Sequence, residues 1–266
     1  MFKAISFFSH VIENRYMIYQ LTKRNVTVQY KRKKLGMFWS LAEPLAIMLI
    51  LYLVFGIGLR GGRNMEIPFI CYLVSGLAAT QFFTQTMAKG SVSVRSHSFL
   101  LNKVNIKLSV LPVITVLTGI IDHFLFLVAA VVIILLNGVI PNLYWFQLLY
   151  YIFALSVFLL GICWFTSAVG VFMPDLQNII SILGRAIFYF SPVIWNFDSI
   201  PESLQYWVRF NPIFYVVMGY RESLFYSTPF WTDTFSMVYF WSWSVGMLII
   251  GSFVFRKLRP QFADFI

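Results

Sequence analysis

Residues 109–136 read SVLPVITVLTGIIDHFLFLVAAVVIILL, from Ser109 to Leu136. Only Asp122-His123 interrupts this run with ionisable groups. About 20 apolar residues in a helix cross the roughly 30 Å hydrocarbon core of a bilayer, and this run is longer. A membrane β-strand would instead alternate apolar and polar positions over about 10 residues. The stretch is therefore a membrane-spanning helix, and a chain built around it is an all-α polytopic membrane protein.

The composition of the whole chain agrees. Of 266 residues, 59% are apolar and 11% are charged, against about 45–50% and 25% in an average soluble domain. The mean hydropathy is +0.78. These values exclude a disordered chain, a nucleic-acid-binding domain and most cytosolic enzymes. Yet the net charge is +10, so the position of the cations matters.

Outward from Ser109–Leu136 the apolar runs repeat. The turn Asn137-Gly138 to Pro141-Asn142 leads into a run at 145–172. Met173-Pro174-Asp175 breaks it, and another run follows at 179–195. Toward the N-terminus lie runs at 67–87 and 38–59, the latter with Glu43-Pro44 near its start. The last run covers 235–255. Six spans are predicted, with both termini on one side of the membrane. Before them, residues 1–37 mix eight basic side chains with aromatics and aliphatics. Part of that segment fits an amphipathic helix in the membrane interface. Met1-Phe2-Lys3 onward shows no apolar stretch ahead of a small-residue cleavage site, so insertion through the first span is expected.

Residues 197–230 lie between the last two spans. They are half-polar, carry Pro201, Pro212 and Pro229, and place Ile200, Leu204, Trp207 and Val208 at helical spacing. Two short helices dipping into the outer leaflet explain this pattern. Two amphipathic helices lying flat on the surface explain it as well.

Cations concentrate at the N-terminus, in 89–107 and in the tail Arg256-Lys257-Leu258-Arg259, where 15 of the 20 Lys and Arg fall. The positive-inside rule then puts those segments and both termini in the cytosol. Cys71 and Cys163 sit inside apolar runs, so neither a disulfide framework nor a metal site is indicated.

Arg185 stands apart. It lies about ten residues past Asp175, roughly 15 Å along a helix, where an ionisable group is costly unless paired or hydrated. Two readings stand: a guanidinium lining a path and meeting phosphates, or an ion pair with Asp122. Aromatic faces also suit sugar C–H groups. Tyr52, Phe55, Trp164, Phe188 and Tyr189 are therefore further path candidates, each with packing against lipid or neighbouring helices as the alternative. His123 beside Asp122 reads as a packed, hydrogen-bonded histidine before a proton relay.

The order of several motifs is familiar. Tyr30-Lys31, Leu35-Gly36-Met37-Phe38-Trp39 and Glu43-Pro44-Leu45 come first. Asp175-Leu176-Gln177, Phe188-Tyr189-Phe190-Ser191-Pro192-Val193-Ile194-Trp195 and Ile200-Pro201 follow. Asn211-Pro212, Gly219-Tyr220-Arg221 and Phe262-Ala263-Asp264 close the set. This ordered set resembles the membrane subunits of type-2 ABC exporters across essentially the whole chain. Ile67-Pro68-Phe69-Ile70, Leu108-Ser109-Val110-Leu111-Pro112 and Gln147-Leu148-Leu149-Tyr150-Tyr151 most resemble the wall teichoic acid branch. Permeases for O-antigen and capsular polysaccharide share the layout.

The resemblance implies a homodimer in a bacterial plasma membrane, working with two copies of a separate ATPase on a lipid-linked anionic polymer. ATP and Mg would be bound by that ATPase, and no G-x-x-x-x-G-K-[ST] loop is present in this sequence. No cofactor and no covalent chemistry are expected in this chain. The resemblance also implies an ATPase-coupling loop at 89–107, with Arg95, Ser96, His97, Ser98, Asn102 and Lys103 as candidates and Glu43 near the same side. It implies an outer gate at 197–230, with Pro192, Trp195, Asn211, Pro212 and Arg221 as candidates. A membrane-embedded transferase would need a cluster of acid and base groups, for which Asp122-His123 is the only candidate pair. A channel would show a repeated polar filter motif, which the sequence lacks.

Overall fold

A computed structural model describes residues 14–31, 38–59, 65–100 and 108–265. The described residues form nine α-helices and no strands. They are α1 (Arg15–Lys31), α2 (Phe38–Leu51), α3 (Phe69–Ser91), α4 (Val110–Leu136) and α5 (Gln147–Phe172). These are followed by α6 (Leu176–Phe190), α7 (Glu202–Arg209), α8 (Pro212–Arg221) and α9 (Thr234–Leu258). Helices α2 and α8 each continue into π-helical turns, Tyr52–Gly58 and Glu222–Tyr226.

Local chemistry sets many of these ends. Asn142 accepts from the Tyr144 N–H at 2.9 Å and starts the 3-10 turn that feeds α5. Asn211 caps α8 by accepting from the Ile213 N–H at 3.1 Å, and Pro212 takes the first helical position, where its missing N–H costs nothing. Asp233 caps α9 through the Ser236 N–H and hydroxyl. Helix α4 ends at Asn137 and Gly138, and Gly138 adopts φ +83°, a left-handed turn that a side chain would strain. The run expected at 179–195 is cut short, because Pro192 pushes Ser191 out of the α conformation (ψ 144°) and α6 stops at Phe190.

Helix α3 is the centre of the fold. Of its 23 residues, 17 are buried, packed by α4, α5, α6 and α8. The most extensive helix pair is α5 with α9. Its backbones meet at Gly161 and Gly251, where a Cβ on Gly161 would fall 2.6 Å from the Leu248 nitrogen. Small residues that let helices approach this closely are the usual packing device in membranes. A second apolar cluster ties Ile18 of α1 to Val110, Trp164, Phe255 and Phe262, joining the ends of α4, α5 and α9.

Four segments are long and apolar enough to cross a membrane: Leu41–Gly58, Val110–Leu136, Leu143–Phe172 and Thr234–Phe262. The other two expected spans differ. Helix α3 has the length but carries Ser75, Thr80, Gln81, Thr84, Gln85 and Thr86, which burial among its neighbours tolerates. Helix α6 has 15 residues, short of the usual span.

The two short helices expected in 197–230 are α7 and α8, with unlike roles. Helix α7 has no buried residue, and Leu204, Tyr206 and Trp207 are exposed. Most of α8 is buried against α3 and α9, so half of the hairpin belongs to the core and not to a surface cap. Residues 1–13 and 32–37 of the expected interfacial segment lie outside the described residues.

Candidate functional site

The largest concavity, about 450 Å³, lies among α1, α2, α3 and α4. Asp122 anchors one wall. The Lys89 ammonium lies 2.8 Å from Asp122 Oδ2. The Gln29 amide donates to both carboxylate oxygens at 3.1 Å, and the Tyr30 hydroxyl donates to Oδ1 at 3.0 Å. One carboxylate thus holds α1, α3 and α4 together. The expected alternative of an Arg185–Asp122 pair is corrected by this geometry. Arg185 lies on the exposed face of α6 and has no partner among the described residues, while Asp122 is used by Lys89.

His123 points away from that hub. Its Nε2 lies 2.9 Å from the Tyr220 hydroxyl of α8, and its ring stacks on Phe82 at 4.8 Å. It is the packed, hydrogen-bonded histidine, and it shares no proton path with Asp122. The only acid and base pair that a transferase reading had to offer is therefore split between two networks.

A smaller concavity of about 280 Å³ adjoins the first one, between α1 and the turn after α3. A short 3-10 helix, Arg95–Leu100, forms its edge. His97 Nδ1 lies 2.8 Å from the Ser93 carbonyl, and Nε2 lies 3.4 Å from the Asn25 side chain of α1. The segment expected to couple to an ATPase is thus braced against α1. Arg95 and Ser96 are exposed and Ser98 is half-buried. Asn102 and Lys103 lie outside the described residues. Glu43 is elsewhere: it faces the larger cavity from α2.

At the far end, the gate candidates divide. The Asn211 amide donates to the Ser191 hydroxyl at 2.9 Å, tying the start of α8 to the turn after α6. Pro192 is buried beside that turn. The Trp195 indole donates to the Tyr189 carbonyl at 3.1 Å, and the Trp195 carbonyl accepts from the Tyr72 hydroxyl at 2.9 Å. Arg221 is only 1% exposed, and its guanidinium lies 3.4 Å from the centre of the Tyr72 ring. It donates to the Tyr72 and Val193 carbonyls at 3.3 and 3.5 Å, and its Nε has no partner. Without a carboxylate bonded to it, this cation is held by the ring face and backbone dipoles. It is a strut of the fold here, not an exposed gate charge.

The aromatic candidates also divide. Trp164 is fully buried and donates to the Ser109 carbonyl at 3.0 Å, so it is core and lines no path within this chain. Tyr52 stacks on Phe69, and Phe55 packs partly buried against the core. Phe188 meets Tyr189 edge to face at 5.2 Å, and Tyr189 is exposed on α6 near Arg185.

The sequence profile of the ABC-2 type transporter matches residues 16–225. This chain belongs to the ABC-2 type transporter family. Among similar proteins, an O-antigen export system permease protein RfbA of Klebsiella pneumoniae is 27% identical over 250 residues, covering 92% of this chain and 93% of the relative. A Myxococcus xanthus RfbA is 26% identical over 257 residues, covering 95% and 96%. The polysialic acid transport protein KpsM of Escherichia coli is 25% identical over 241 residues, covering 88% and 90%. The helices of this ABC-2 chain make it an integral membrane protein.

Sequence reasoning missed part of the ABC-2 chain's polar cavity. Gln81, Gln85 and Lys89 line it together. Their spacing of four residues, which puts side chains on one helix face, was the available signal.

Proposed function

We propose that this chain is the transmembrane subunit of an ATP-driven exporter of a lipid-linked surface polysaccharide of the O-antigen or capsular type. The observation that carries this reading is similarity along nearly the full length to permeases named for O-antigen and polysialic acid transport. The relatives favour these cargoes over wall teichoic acid. The chain does no covalent chemistry and holds no cofactor. It works as a homodimer with two copies of a partner ATPase, which binds ATP and Mg.

In this reading the chain crosses the plasma membrane six times, with α3 and α6 as the second and fifth spans and both termini in the cytosol. Helix α3 spans inside a protein sheath, and α6 relies on the turn through Ser191–Trp195 to complete its crossing. The Arg95–Leu100 segment meets the ATPase. Its brace on α1 through His97 and Asn25 supports a path by which an ATPase stroke reaches the Asp122 hub. Arg185 and Tyr189 lie on an exposed face of α6 and meet the cargo where two protomers frame the path.

Deletion of the gene, followed by analysis of cell-surface polysaccharide, tests the reading. Loss of a long-chain polysaccharide from the surface, its lipid-linked form accumulating inside, is expected. Unchanged O-antigen and capsule with loss of wall teichoic acid would move the cargo to that class. Copurification with an ATPase that carries the phosphate loop tests the partner.

A further inference from the structure

Helix α3 presents Gln81 and Gln85 to the 450 Å³ cavity, and α2 presents Glu43 from the opposite wall. None of these three side chains has a hydrogen-bond partner among the described residues. Phe82, Phe126 and Trp39 supply apolar and aromatic walls. The volume falls in the range of about 300–1,000 Å³ typical of small-molecule sites.

The charge of the lining selects among ligands. The cationic side chain in the cavity, Lys89, is neutralised by Asp122 at 2.8 Å. Glu43 adds an unmatched carboxylate, so a phosphate or pyrophosphate would meet repulsion and no free cation. An acyl chain would strip water from two amides and a carboxylate without replacing their hydrogen bonds, which is costly. Each glutamine amide offers two donors and two acceptor lone pairs, and a carboxylate accepts from hydroxyls. Two amides four residues apart lie about 6 Å apart along one face, a spacing that suits hydroxyls on opposite edges of a pyranose. Aromatic walls then receive the C–H face of the ring.

We propose that this cavity binds an uncharged sugar ring of the transported polymer, with Gln81, Gln85 and Glu43 as the hydrogen-bonding groups. The proposal rests on the polysaccharide reading above. It places a saccharide-reading site within one protomer, apart from the exposed face of α6. Such a site would report the chemistry of the cargo, whereas a phosphate-reading site would report only its lipid carrier.

The permease–ATPase complex in lipid nanodiscs, with saturation-transfer NMR on added D-mannose, D-galactose, D-glucose and L-rhamnose, tests this directly. Transfer to the ring protons of at least one sugar is expected from the wild type. A Gln81→Leu/Gln85→Leu variant should bind that sugar roughly tenfold more weakly, as losing two neutral hydrogen bonds implies. A Gln81→Asn/Gln85→Asn variant keeps the polarity and helix but shortens the reach, and it should also lose signal. That second variant decides the matter if the leucine variant does not fold. Inorganic pyrophosphate should not displace the sugar. Absence of transfer to every sugar, equal transfer from the folded variants, or displacement by pyrophosphate would overturn the proposal. Cells whose surface polysaccharide still depends on the gene would then keep the export reading while the sugar site is withdrawn.

Discussion

The Lys89 ammonium of α3 and the Asp122 carboxylate of α4 meet at 2.8 Å, while Gln29 and Tyr30 of α1 donate to the same carboxylate. The partners are unequal: the Lys89 side chain is 42% exposed and that of Asp122 is 14% exposed. Asp122→Leu strands three donors at once and should destabilise the protein by about 1–3 kcal/mol. Lys89→Met leaves the two neutral donors in place. Solvent screens the half-exposed ammonium, so that change should cost under about 1 kcal/mol. Thermal unfolding of both variants in one detergent checks the order, and a larger loss for Lys89→Met would refute it.

The backbones of α5 and α9 touch at Gly161 and Gly251. Gly161→Leu and Gly251→Leu should therefore drive the helices apart and sharply lower the yield of folded protein. Gly246, on the same α9, has open space where a Cβ would go, so Gly246→Ala should be silent. Size-exclusion profiles of the three variants separate a contact effect from a general intolerance of glycine replacement.

Arg221 spans three segments by touching the Tyr72 ring and the carbonyls of Tyr72 and Val193. Arg221→Ala removes a buried side chain and leaves two acceptors short, which should cost about 2–5 kcal/mol. Arg221→Met fills most of the space and removes the unmatched charge, so it should fall between alanine and the wild type. Thermal melts of the two variants give the order.

Arg185 has no partner among the described residues and lies exposed on α6. Arg185→Leu should leave the melting temperature within a degree or two of the wild type, since surface changes away from packing features are usually within about 0.5 kcal/mol. Export should fall if the guanidinium meets the cargo. Surface polysaccharide measured on a variant of normal stability answers this, and full export would remove Arg185 from the path.

His97 bridges the proposed coupling segment and α1. His97→Ala should leave complex assembly intact while uncoupling hydrolysis from export, so that ATPase activity persists and surface polysaccharide drops. Unchanged export by an assembled His97→Ala complex would argue against this brace as a transmission element.

How far the sequence could be read depended on whether a feature lived in one segment or between two. The run 109–136 became α4 nearly to the residue, because continuous apolarity and the Asn137-Gly138 stop are both local. The partner of Asp122 was not local. Gln29 lies 93 residues away, and nothing in either segment encodes their meeting. Trp164 was misplaced for a related reason. Helix α5 is apolar around its whole circumference, so its pattern does not say which face is inside. Arg221 looked like a gate charge because it follows Gly219-Tyr220 in a half-polar stretch. The ring of Tyr72, 149 positions earlier in the chain, is what makes its burial tolerable.

The burial of α3 has a consequence for how the protein is made. Its neighbours α4, α5, α6 and α8 all come later in the chain. When α3 leaves the ribosome, none of the surfaces that will cover Ser75, Thr80 and Thr86 yet exists. A helix of that polarity partitions weakly into lipid on its own. The nascent chain must therefore hold α3 at the insertion machinery until its successors arrive. Topogenesis of the first half is thus contingent on translation of the second, and a ribosome stalled near residue 100 would leave this segment without a stable berth.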